Sequence, residues 1–133
     1  MKDGKNLLVL DKELPADDFE VIVKASAKFQ GREGNQIAII LFKDEANYFW
    51  MPVQNEYSAV GNPPVHVYFQ KLFQGRQTGS FESYSSAQVY LKIERSGNDY
   101  TGYFANLDPA KPENVDKISN RLNNFFIVFF FIF

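Results

Sequence analysis

From Val89 to Ala105 the chain alternates apolar and polar positions, breaks at Gly97 and Asn98, and alternates again. Successive strand side chains point to opposite faces, so this period of two predicts a half-buried β-hairpin. With Gly97 and Asn98 as its loop, the pairing sets Leu91 against Phe104, Ile93 against Gly102 and Arg95 against Tyr100. The same register places Tyr90 opposite Ala105, Lys92 opposite Tyr103 and Glu94 opposite Thr101 on the other face. A slip of one residue would bury the charges, so pattern and turn specify one register.

The same period appears upstream. In "FEVIVKASAKF", Phe19, Val21, Val23, Ala25, Ala27 and Phe29 share one face and Glu20, Lys24, Ser26 and Lys28 the other. "QIAIILF" is apolar on both faces, as a strand inside a sheet must be, and "KDEAN" turns it into "YFWMPV". "GNPP" at residues 61–64 breaks the chain before "VHVYFQKLF" resumes extension. The Gly-, Ser-, Gln- and Thr-rich stretch from Gln74 to Ala87 reads as a polar connection. No stretch carries a helical period for long. Strands about ten residues apart with Gly and Pro turns predict an all-β, antiparallel β-sandwich or barrel.

Composition narrows the function classes. A chain of 133 residues fits one domain. Its net charge of -2 supplies no field for nucleic acid or an anionic membrane. Without cysteine there are no disulfides, thiolate chemistry or Cys-based zinc sites. One histidine and no HExxH or phosphate-binding glycine loop leave little for nucleophilic or metal hydrolysis. Glycoside hydrolysis needs two carboxylates roughly 5 to 9 Å apart across a sugar, and no Glu-x-Asp-x-x-Glu pattern is present. Asp17 with Asp18, and Asp44 with Glu45, are adjacent and read as turn residues. No cofactor is expected. Asp99 and Asp108 offer oxygen ligands for a structural calcium ion, a weak signal beside turn capping.

The remaining chemistry lies in outward-facing aromatics. Tyr48 and Trp50 share a face, as do His66, Tyr68 and Gln70, and Tyr90, Lys92, Glu94 and Tyr103 form a third group. Sugars present apolar CH faces ringed by hydroxyls, so flat aromatic side chains beside hydrogen-bonding groups suit them. Tyr48, Trp50, Tyr68, Tyr90, Lys92, Glu94 and Tyr103 are therefore the candidate glycan platform. Ordinary cross-strand pairing on a wet sheet is the favoured account of each of these residues taken singly, and Trp50 reads as core just as well. Arg95 is expected to lay its stem over Tyr100.

The runs "LPADDFEVIVKASAKF", "AIILFKDEANYFWM" and "VYLKIERSGNDYTGYFAN" resemble the concanavalin A-like jelly-roll domains, laminin-G-like in the broad sense, of secreted glycoside hydrolases such as β-xylosidase-type enzymes. The resemblance spans about residues 7 to 118. It implies a non-catalytic accessory or carbohydrate-binding module, an oligo- or polysaccharide ligand, a catalytic domain as neighbour, and an extracellular or periplasmic parent protein. The alternatives are a structural module that packs against a catalytic domain and a laminin-G-type protein-interaction domain. "NLDPAKPENVDKI" reads as a long loop where the family has a short one with a Trp. Leu7 to Leu10 is too short for a signal peptide's apolar region.

The expected domain is thus residues 1–118, with the jelly roll incomplete at its C-terminus and residues 119–133 an atypical Phe-rich tail. Phe125 to Phe133 holds nine Phe, Ile and Val residues, well short of the ~20 of a membrane helix. A T-rich stretch read out of frame or past a lost domain end would encode such a tail. The alternative is a strand covered on both faces.

Overall fold

The computed structural model describes residues 7–26, 36–55, 65–84, 88–105, 110–119 and 125–132. The described residues form ten strands and no helix: β1 (Leu7–Glu13), β2 (Phe19–Ser26), β3 (Gln36–Asp44), β4 (Asn47–Asn55), β5 (Val65–Phe73), β6 (Arg76–Tyr84), β7 (Gln88–Ser96), β8 (Asp99–Ala105), β9 (Glu113–Ser119) and β10 (Phe126–Ile132). A six-stranded sheet runs in the order β1-β10-β3-β4-β5-β6 and a four-stranded sheet in the order β2-β7-β8-β9. Every pairing is antiparallel. The all-β sandwich expected from periodicity is the architecture found.

The β7–β8 hairpin has the register read from sequence, with Leu91 opposite Phe104, Ile93 opposite Gly102 and Arg95 opposite Tyr100. Gly97 opens its turn at φ 60°, the left-handed value that a two-residue hairpin favours at its first loop position. Asp18 Oδ1 accepts a 2.7 Å hydrogen bond from the Gly97 amide, tying the turn to the entry of β2.

Alternate residues of both sheets meet in one core. Phe49 lies against Tyr100 with ring centroids 4.3 Å apart, stacks on Phe69 at 5.7 Å, and meets Phe125 edge-on at 5.6 Å. Ile39, Leu41, Met51, Val67, Leu91 and Ile93 fill the space around these rings, each with no exposed surface. Arg95 is buried with its Cζ 5.5 Å from the Tyr100 ring, and its Nε donates to the Gly97 carbonyl at 2.9 Å. Burial pushes the Tyr100 phenol above the ordinary tyrosine range, with Arg95 pulling the other way.

Three expectations need correction. The polar stretch after Gln74 is a strand, β6, paired along its length with β5. It is the edge of its sheet with both faces exposed, so hydrogen bonds rather than apolar burial hold it and no alternation is needed. Within the expected loop "NLDPAKPENVDKI", residues from Glu113 onward form β9, anchored by buried Val115 and Ile118. The tail set apart at residue 119 supplies β10, which hydrogen-bonds between β1 and β3. Phe125 enters the core and its carbonyl accepts a 2.8 Å hydrogen bond from the Leu14 amide. β10 is thus paired along both edges, whereas the alternative held open was a strand covered on both faces, and Phe126 at its start is 37% exposed. Ala27, Lys28 and Phe29 of the predicted β2 stretch lie outside the described residues.

Candidate functional site

The two sheets turn their inner faces to each other, so outward residues of the larger sheet lie on the opposite side of the molecule from those of the smaller one. This separates the candidate platform into two groups. Tyr48 and Trp50 on β4 and Tyr68 on β5 belong to the larger sheet, whereas Tyr90, Lys92 and Glu94 on β7 and Tyr103 on β8 belong to the smaller. No single platform contains all seven.

On the smaller sheet the outward groups satisfy one another. Lys92 Nζ lies 3.2 Å from Glu94 Oε2, 4.0 Å from Glu20 Oε2 and 4.4 Å from the centre of the Tyr103 ring. Glu20 and Glu94 are direct cross-strand partners, and Lys92 offsets a like-charge pair that would otherwise repel. Lys24 sits 5.6 Å over Tyr90. This is the cross-strand pairing of a wet sheet, and its polar tips face each other.

The larger sheet is different. Its outward positions on β3 and β4 carry Ala38, Ile40, Phe42, Tyr48 and Trp50. Ala38 and Ile40 are almost fully buried beneath the partly exposed Phe42, Tyr48 and Trp50. Trp50 is therefore both a lid over these two residues and a surface group. Register sets Trp50 beside Gln70 and Tyr68 beside Phe81. A row of rings follows across the strands: Trp50 to Tyr68 at 6.4 Å, Tyr68 to Phe81 at 5.2 Å and Phe81 to His66 at 4.8 Å. Phe81 is 51% exposed, unusual for so large an apolar side chain.

Beside Trp50 the row opens into a pocket of about 230 Å³ lined by Gln36, Ile40, Tyr48, Trp50, Gln70, Leu72 and Gln77. Gln77 Nε2 donates to Gln70 Oε1 at 2.7 Å, which holds two amides side by side at one wall. Gln36 Oε1 is closed to solvent and accepts no hydrogen bond among the described residues. The pocket lining contains no charged side chain among the described residues. Gln36, Gln77, Leu72 and Phe81 escaped the sequence reading. Gln36 had a signal, being the polar member of the outward set of a strand otherwise apolar on that side.

The carboxylates singled out earlier serve local structure. Asp44 Oδ1 accepts from the Ala46 amide at 2.9 Å and from Asn47 Nδ2 at 2.7 Å, capping the β3–β4 turn. Asp99 pairs with Lys117 at 2.9 Å, and this contact raises the lysine's pKa. Asp108 lies outside the described residues. Among the described residues no group of three or more His, Asp or Glu side chains could hold a metal ion.

The fold and this face define a β-sandwich with an aromatic outer surface. No protein-family model matches the chain, and no curated protein matches it significantly. Among solved structures, the GH43 protein BlXynB from Bacillus licheniformis superposes at a TM-score of 0.74 and 13% identity, over 96% of this chain and 26% of that one. A functionally unknown protein from Saccharomyces cerevisiae gives 0.70 at 12% identity, over 94% of this chain and 64% of its own. A mutant of the same GH43 protein gives 0.67 at 10% identity, over 86% and 23%. The chain thus spans about a quarter of the GH43 chains it resembles. At these identities the likeness establishes the fold: a β-sandwich like one within GH43 chains, with no finer division into concanavalin A-like or laminin-G-like types.

Proposed function

We propose that the chain is a non-catalytic glycan-binding module of a polysaccharide-degrading enzyme, exported as part of a larger protein, and that it binds saccharide on the outer face of its six-stranded sheet. The observation that carries this reading is the row Trp50, Tyr68, Phe81 and His66 running into a pocket of amide and aromatic side chains. Flat rings meet the CH faces of sugars, and amides both donate to and accept from hydroxyls. The smaller sheet takes no part, because its Lys and Glu groups are already paired. The fold-level likeness to GH43 chains agrees with a setting in a glycoside hydrolase, by analogy of fold alone.

The test is titration of xylan-, arabinan- and glucan-derived oligosaccharides. Trp50 is the sole tryptophan, so its fluorescence and indole NMR signal report on this face alone. A shallow sheet surface is expected to bind at about millimolar to micromolar Kd. Tyr68→Ala should weaken binding without lowering stability by more than about 1 kcal/mol, since Tyr68 lies on the outer face. Silence of the indole toward every saccharide at millimolar concentration would refute the reading. The exposed Phe81 favours a second one, in which this face packs against a catalytic domain and helps shape its pocket. In that case a linked domain, and no sugar, would protect Trp50 from a collisional quencher.

A further inference from the structure

The pocket beside Trp50 carries more information than the aromatic row. Its polar groups are the carboxamides of Gln36, Gln70 and Gln77 and the phenol of Tyr48, and its other walls are Ile40, Leu72 and the indole. Among the described residues a carboxylate or phosphate placed here would meet no cation, and an ammonium no anion, so charge would lose hydration without a partner. The volume, about 230 Å³, lies below the roughly 300 Å³ at which pockets for drug-sized ligands begin. It has room for one ring rather than a chain of them.

The amides are arranged unequally. The Gln77-to-Gln70 hydrogen bond uses one donor and one acceptor, leaving Gln70 Nε2 and Gln77 Oε1 without a partner among the described residues. Gln36 Oε1 has no donor among the described residues, although it is closed to solvent. An acceptor closed to solvent without a donor carries an unmet desolvation cost, which favours a conformer that turns it to a donor in the pocket. Gln36 is only half-buried as a residue, and the terminal torsion of a glutamine is broad, so its amide can turn to the pocket.

We infer that the pocket takes a single uncharged sugar ring, stacked on Trp50, with Gln36 Oε1 accepting a hydrogen bond from one ring hydroxyl and the Gln70–Gln77 amide pair holding the opposite side. Gln36 is then the residue that reads the hydroxyl, and a lining without charge among the described residues rejects uronic acids. This inference rests on the glycan-binding reading and adds to it the ring's charge and the residue that recognises it.

The test uses the intact chain with methyl β-xyloside, its three monodeoxy analogues and methyl β-glucuronide, followed by the indole signal of Trp50. The neutral glycoside should bind and the uronide should bind at least about 10-fold more weakly. Gln36→Leu should weaken the neutral glycoside by roughly 5- to 100-fold, the range for leaving one hydrogen-bonding partner unmatched. One deoxy analogue should bind the unaltered protein weakly and be indifferent to Gln36→Leu. Equal affinity of uronide and neutral glycoside, or no loss in Gln36→Leu, overturns the inference. If Gln36→Leu does not fold, the deoxy series on the unaltered protein decides, and uniform affinity across it counts against Gln36. Oligosaccharides that bind in a Tyr68-dependent way while all methyl glycosides stay silent would sink the pocket and spare the module. Silence toward every saccharide sinks both.

Discussion

A Cβ at Gly102 would stand 2.5 Å from Phe69 Cγ and 2.7 to 2.8 Å from its Cβ and Cδ2. Phe69 is wholly buried and stacked on Phe49, so it has nowhere to retreat. Gly102→Val should therefore lower the urea midpoint by an amount worth about 1 to 3 kcal/mol, the usual cost of overpacking. An unchanged midpoint would contradict the packing of β8 on β5. Tyr100 gives a second residue-level expectation. Because burial favours its neutral phenol, the unfolded chain ionises first. The associated stability is complete below the ordinary tyrosine pKa of 10.0 and is lost as pH rises from there through the higher folded value. The gap in unfolding free energy between the native chain and Tyr100→Phe should shrink above about pH 10 in alkaline denaturation series. A gap constant with pH would place the phenol in a wetter site than its burial describes.

At the scale of elements, β10 depends on the residue just before it. Phe125 packs edge-on to both Phe49 and Tyr100, at 5.6 and 5.8 Å. Phe125→Ala should cost about 3 to 5 kcal/mol in chemical denaturation, the range for emptying a buried aromatic site. A cost under about 1 kcal/mol would mean that β10 is held by its backbone ladder alone. The strands legible in sequence, β2, β3, β4, β5, β7 and β8, are those whose inner and outer neighbours differ, or whose two faces are both covered. β6 was missed because an exposed edge strand buries neither face and leaves no period to read. β9 was missed because, among its described side chains, only Val115 and Ile118 reach the core, one short apolar signal amid polar residues. The candidate site divides for a related reason. Alternation tells inward from outward but not which sheet a strand joins, so Trp50 and Tyr90 looked like neighbours and stand on opposite sides. Gln70 and Tyr68 were readable as a shared face, whereas their meeting with Gln77 and Phe81 required the β5–β6 pairing.

Over the whole molecule, the two outer faces differ in how they treat charge. One carries a lattice of Lys, Glu and Tyr, the other a pocket with no charged side chain among the described residues, on a chain of net charge -2. Saccharide binding on the neutral face should therefore be insensitive to ionic strength. Titrations at about 0.05 M and about 0.5 M NaCl should agree within roughly twofold, because screening acts on exposed charges and none is invoked. A steep salt dependence would move the site to the smaller sheet, where Lys92→Met would then abolish binding.

The order of strands in the larger sheet also sets a sequence of events in time. Among the described strands β1 pairs with β10 alone, Leu7 meeting Phe130, and β10 in turn lies against β3. During synthesis β1 must wait for its partner until β10 has left the ribosome, while one edge of β3 waits with it. Closing so distant a contact is slow, since loop entropy is lost before any pairing repays it. The interval before β10 arrives is the one in which apolar strand edges are open to other chains, and chaperone demand should concentrate there.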